Sequence, residues 1–198
     1  MKYFIGNWKM FGVPRSIKIL NKINSFRSKD KNRNKYRIII TPPYTLLEYF
    51  AKQFKNKRIT IGSQNCYQKD KFSSNTAAIS PYMIRSVGAK YTLVGHSDNR
   101  AEGDTDLMLK NKVKFALANN LKVVFCIGEN KNQKKNNQTF RVLKKQLVKV
   151  LEKKFNNSNI IVAYEPIWSI GTGKIPNQKE LLKTTIYIKQ VLKNIFKK

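Results

Sequence analysis

Short runs of β-branched and aromatic residues alternate with longer segments of helical period from one end of this chain to the other, and that rhythm constrains its fold more than anything else. The short runs predict strands over residues 3–6, 37–41, 59–62, 91–95, 122–126 and 160–164. Each is apolar on both faces, as strands covered on two sides are. Between them, residues 16–26, 46–54, 81–87, 106–117, 140–155 and 179–195 place apolar side chains three and four apart, with Lys, Asn and Gln opposite. These segments predict covering helices. Ser80-Pro81 and Pro176-Asn177 supply capping and first-turn chemistry ahead of two of them. The order is βα, repeated along 198 residues without a linker, so residues 1–198 are expected to form a single domain of α/β class with a parallel sheet.

A βα repeat suits an open doubly wound sheet or a closed barrel, and both put ligands at the C-terminal ends of the strands. Those ends favour the barrel. Nearly every predicted strand runs into polar residues or glycine: Asn7 and Lys9, Thr41, Gln64 and Asn65, His96 and Ser97, Gly128 and Glu129, then Glu165. In a barrel they converge on one rim.

Composition enters through charge. Forty Lys and Arg against 11 Asp and Glu give a formal net charge of +29, which would suit a polyanionic partner and makes a basic nucleic-acid-binding protein an alternative reading. The lysines nevertheless spread over all the helical segments, and no zinc-finger, RNP-type or helix-turn-helix pattern occurs. A solvated surface accounts for them, and their functional counterpart is steering of an anionic substrate. No apolar run reaches the roughly 18 residues of a spanning helix, and the first residues lack the apolar stretch of a signal peptide. The expected location is therefore cytoplasmic, with no membrane partner. Cys66 and Cys126 belong to no CxxC pair or metal-spaced cluster, so reduced thiols are expected.

Four strand-end features carry chemistry. Glu165 follows the last strand directly and precedes Pro166-Ile167-Trp168. A carboxylate at the mouth of an apolar interior is partly desolvated, which makes it a competent base toward a carbon acid; a salt-bridged structural glutamate is the alternative. His96 is the sole histidine of the sequence, which excludes a histidine metal cluster. A helix starting at Ser97 and Asp98 would hold its ring near positive partial charge and favour the uncharged imidazole, able to donate to a carbonyl and relay a proton. A packed, satisfied histidine is the bland counterpart. Lys9 lies two residues beyond Asn7 in Gly6-Asn7-Trp8-Lys9-Met10, a cation poised for an anion. Ser169-Ile170-Gly171-Thr172-Gly173-Lys174 has the glycines of a phosphate-approaching lid, although the pattern alone is weak and is not a Walker A loop.

Taken together these segments resemble the triosephosphate isomerase family. The resemblance rests on Gly6-Asn7-Trp8-Lys9-Met10, Gln64-Asn65, Gly95-His96-Ser97, Cys126-Ile127-Gly128-Glu129, and the run from Ala163 through Tyr164-Glu165-Pro166-Ile167-Trp168 to Lys174. It implies a TIM (β/α)8 barrel and the interconversion of dihydroxyacetone phosphate and glyceraldehyde 3-phosphate through an enediolate, a step of glycolysis and gluconeogenesis. By the same resemblance Glu165 would abstract the carbon-bound proton and His96 would shuttle protons between the oxygens. Lys9 with Asn7 would stabilise the oxyanion, and Gly171 would offer its N–H to the phosphate. No cofactor or metal is implied. A homodimer is, through a protruding loop over residues 66–80 around Thr76.

The sequence departs from that family in two places. After the His-Ser pair stand Asp98, Asn99 and Arg100 where the family has Glu, Arg, Arg. Asp98 keeps the charge expected to partner Lys9, whereas Asn99 and Ala78 together remove one familiar ion pair. The pattern also counts about six βα units, against eight strands and about 250 residues in a complete barrel. Strands seven and eight, with their phosphate-holding loops, are thus not found in residues 1–198. A nearly inactive barrel fragment is the corresponding alternative function.

Overall fold

The computed structural model describes residues 1–197. Six strands, β1 (Lys2–Asn7), β2 (Tyr36–Thr41), β3 (Ile59–Ser63), β4 (Tyr91–Val94), β5 (Lys122–Ile127) and β6 (Ile160–Tyr164), pair in parallel in the order in which they occur. The intervening helices are α1 (Ile17–Lys29), α2 (Tyr44–Gln53), α3 (Pro81–Ser86), α4 (Ser97–Ala101), α5 (Asp106–Ala118), α6 (Lys131–Lys135) and α7 (Thr139–Val150), with α8 (Gln178–Phe196) after β6. A doubly wound sheet reverses its strand order at a switch point. Here the order never reverses, and right-handed crossovers then place successive helices on the same face of the sheet. The result is an arc of a β/α barrel.

Two apolar clusters mark the two faces of that arc. On the inner face Ile39, Tyr91, Leu93 and Val124 are buried, with Ile5, Ile161 and Ala163 packed against them. Alternate residues of the same strands, among them Ile40, Val94, Val123 and Phe125, face outward into a larger cluster with Leu20, Phe50, Ile84, Leu109 and Leu147 from the helices. Each fully buried large apolar side chain contributes about 1.5–3 kcal/mol. In α7 the spacing is plain: Leu143, Leu147 and Val150 are buried, while Lys144, Lys145 and Lys149 are exposed.

Local chemistry sets several boundaries. Ser80 caps α3 by accepting from the Met83 N–H, with Pro81 in the first turn, and Asn177 caps α8 through the Lys179 N–H. Three sequence expectations require correction. Helix α7 stops at Val150 rather than near residue 155, because Leu151 turns extended while Leu151 and Phe155 are still buried through a turn closed from Phe155 N to Glu152 O at 3.0 Å. Helix α6 was not anticipated from apolar spacing; it starts on a reciprocal cap between Asn130 and Gln133. Nor are all strands buried on both sides. Among the described residues β1 and β6 each have a single strand neighbour, and Phe4 remains 57% exposed.

Candidate active site

The C-terminal ends of β1, β4 and β6 bring three sequence-predicted side chains together. Glu165 leaves β6 with its backbone N–H on the Ile127 carbonyl of β5 at 2.9 Å. Its approach depends on Gly128, where an added Cβ would stand 2.0 Å from the Glu165 carbonyl oxygen. The carboxylate turns toward β4: Oε1 accepts from the Ser97 N–H at 3.1 Å, and Oε2 lies 3.5 Å from His96 Nε2. Burial pushes the Glu165 carboxyl above its ordinary range, opposed by the neighbouring His96, the Ser97 N–H and Lys9, and reinforced by Asp98. That is the direction expected of a base for a carbon acid.

His96 is buried and caps α4 with its own ring, Nδ1 accepting from the Asp98 N–H at 3.2 Å. A backbone N–H can only donate, so Nδ1 presents a lone pair and the ring proton belongs on Nε2, the nitrogen facing Glu165. The left-handed turn at Gly95, φ 77°, brings the chain into this position. Arg100 fastens the same turn, donating to the carbonyls of Gly95 at 2.8 Å and Cys126 at 3.1 Å.

Lys9 reaches the cluster from β1, its Nζ 3.3 Å from Asp98 Oδ2. The shorter acid at this position still spans the gap. Asn7 acts on the backbone, its Oδ1 accepting the Lys9 N–H at 2.9 Å. A desolvated base thus faces an imidazole N–H donor, with an ammonium held by the adjoining Asp98, a set suited to moving a proton beside a developing oxyanion. Gly171 lies apart: φ is 69°, and residues 171–175 are exposed.

The base of the loop that carries Gly171 is fastened by groups that apolar spacing and strand ends did not single out for this purpose. Glu129, 1% exposed, accepts from Trp168 Nε1 at 2.8 Å and from the Tyr164 hydroxyl at 3.1 Å. Burial and then the Glu129 carboxylate hold the Tyr164 phenol well above its usual range. Lys134 Nζ sits 4.0 Å above the Trp168 ring and 2.8 Å from Glu180 Oε2. A cavity of about 280 Å³ opens beside these groups, lined by Glu129, Lys134, Tyr164 and Glu180 but not by Lys9, His96 or Glu165.

Comparison with known proteins identifies the family. The family model described as triosephosphate isomerase matches residues 2–198. The chain belongs to the triosephosphate isomerase family. It is 33% identical over 190 residues to the triosephosphate isomerase of Alkaliphilus oremlandii, covering 94% of this chain and 75% of that protein. It is 37% identical to the enzyme of Saccharomyces cerevisiae, over 86% of this chain and 68% of the relative. The crystal structure of triosephosphate isomerase from Bartonella henselae superposes with a TM-score of 0.87 at 28% identity, covering 98% of this chain and 77% of that one. The six-stranded arc is therefore the corresponding part of a TIM barrel, and the chain is an isomerase by family.

Proposed function

We propose that this triosephosphate isomerase family member interconverts dihydroxyacetone phosphate and D-glyceraldehyde 3-phosphate, with Glu165, His96 and Lys9 as its catalytic residues. The observation that carries the assignment is the approach of Glu165 Oε2 to His96 Nε2 at 3.5 Å, with the Lys9 ammonium brought in by Asp98 at 3.3 Å. Glu165 takes a proton from the carbon beside the carbonyl. The C–H electron pair forms the carbon–carbon double bond of an enediolate, and the carbonyl π pair moves onto oxygen. His96 donates from Nε2 to that oxygen and relays the proton to its neighbour, while Lys9, with Asn7 holding its backbone, offsets the negative charge. Return of the proton from Glu165 to the adjacent carbon completes the exchange. Gly171 gives its N–H to the phosphate as the lid shuts, excluding water.

The same reading includes a homodimer formed through the loop at residues 66–80, supported by the exposure of Phe72 at 77% on that loop and of Met10 at 95% and Phe11 at 75% after β1. It also includes a cytoplasmic location, a single unit over residues 1–198, and neither nucleic-acid nor membrane partners. No helix among the described residues is long and apolar enough to cross a membrane. The test is isotope exchange. In D2O the chain is expected to place deuterium on the C1 carbon of dihydroxyacetone phosphate, and Glu165→Gln is expected to lower the rate by about 10²–10⁴-fold, the range for a general base. Exchange that persists undiminished in Glu165→Gln contradicts the assignment.

A further inference from the structure

Away from the proposed catalytic groups lies a buried ion pair. Lys112 in α5 and Asp104 just before that helix have side chains 4% and 7% exposed, and Lys112 Nζ meets the two carboxylate oxygens at 2.6 and 2.7 Å. A buried pair of this kind is a poor source of stability, since well-packed apolar residues of similar volume commonly do as well or better. What the pair holds is then the informative question. The third ammonium hydrogen goes to Asn65 Oδ1 at 3.0 Å, and the same oxygen accepts the Cys66 N–H at 2.9 Å. The Tyr44 hydroxyl donates to the Asn65 carbonyl. Residues 64–66, the turn leaving β3, are thereby fixed from below.

Gln64, at the head of that turn, commits both hydrogens of its amide: Nε2 donates to the Lys9 carbonyl at 2.8 Å and to the Thr41 carbonyl at 2.9 Å. Lys9 needs such a restraint. Its φ of 51° puts a residue with a Cβ in the left-handed region, a strained conformation that persists only where the surroundings impose it. Asn7 secures the Lys9 N–H and Gln64 its carbonyl.

We propose that Lys112 and Asp104 are positioning residues of the isomerase site: their ion pair fixes Asn65 and with it the Gln64 amide, which keeps the Lys9 backbone left-handed and aims its ammonium at the substrate. The link to catalysis rests on the role given to Lys9 above; the link to Lys9 geometry does not.

The experiment replaces the pair by apolar residues, Lys112→Met together with Asp104→Leu, in the 198-residue chain. Hydrogen exchange of the segment at residues 8–12 is expected to quicken about tenfold, with the amides of β4 and β5 unchanged. In the isotope-exchange assay KM is expected to rise about tenfold at unaltered melting temperature, and the rise is expected to vanish when Lys9→Ala is already present. Unchanged exchange at residues 8–12 in a folded double variant overturns the proposal, whatever the activity. If isomerase activity is absent from every form, the hydrogen-exchange result still decides it while the function proposed above fails. Should the double variant not fold, Asn65→Ala cuts the connection with the ion pair left in place. It is expected to loosen the same segment, and failure to do so overturns the proposal equally.

Discussion

Glu165 sits where its charge is least comfortable. Because burial raises its carboxyl pKa in the folded chain, the native state binds the proton more tightly than the unfolded one. Below the ordinary carboxylate range both states are protonated and nothing is lost. As pH rises from there through the folded pKa, the unfolded state gains relative to the native one and stability declines. Glu165→Gln removes that cost and keeps an oxygen for the Ser97 N–H. We expect the variant to melt higher than the parent at pH 8 and to match it near pH 4. Calorimetry at the two pH values checks this, and an equal or lower midpoint at pH 8 contradicts it. The same logic places the acid limb of the rate profile above the usual carboxylate range, since only the ionised base accepts a proton.

The segment after β6 illustrates how an element is held by contacts from elsewhere in the chain. Trp168→Phe keeps the aromatic face under Lys134 but removes the N–H that Glu129 accepts, leaving a buried carboxylate with the Tyr164 hydroxyl. A lost partner for a buried acceptor costs about 1–3 kcal/mol. The variant is expected to melt lower, and trypsin is expected to cut at Lys174 severalfold faster; an unchanged cleavage rate would speak against a fastened lid. This fastening was not legible in the sequence, although Tyr164, Glu165 and Trp168 all lie in the run that carries the family resemblance. Periodicity and strand ends report on neighbours along the chain, and Glu129 and Lys134 meet Trp168 from the preceding unit. The strands themselves were legible to within one or two residues, because β-branched runs such as Arg37-Ile38-Ile39-Ile40-Thr41 leave little choice. Helix α7 was read too long for a related reason. Apolar spacing continues through Leu151 and Phe155, and a turn buries them as well as a helix would. The ion pair of Lys112 and Asp104 had no sequence signal among so many lysines.

At the scale of the whole molecule, β1 and β6 each have one strand neighbour among the described residues, with an inner apolar face between them. Unpaired strand edges invite association. We expect a polypeptide of residues 1–198 to self-associate at micromolar concentration. Its turnover should lie at least about 10²-fold below that of a relative of full length, the loss expected for one missing oxyanion-type donor. Adding the C-terminal quarter of such a relative as a separate polypeptide is expected to raise the rate. Sedimentation velocity and the isotope-exchange assay test both points, and full turnover by the bare polypeptide would refute the second. With a formal charge of +29, kcat/KM for a phosphate ester is expected to fall as salt is added. Because each strand joins the one made just before it, no late segment must wedge between partners already docked. Growth from β1 to β6 can follow the ribosome, each new unit laid on the last like a course of masonry.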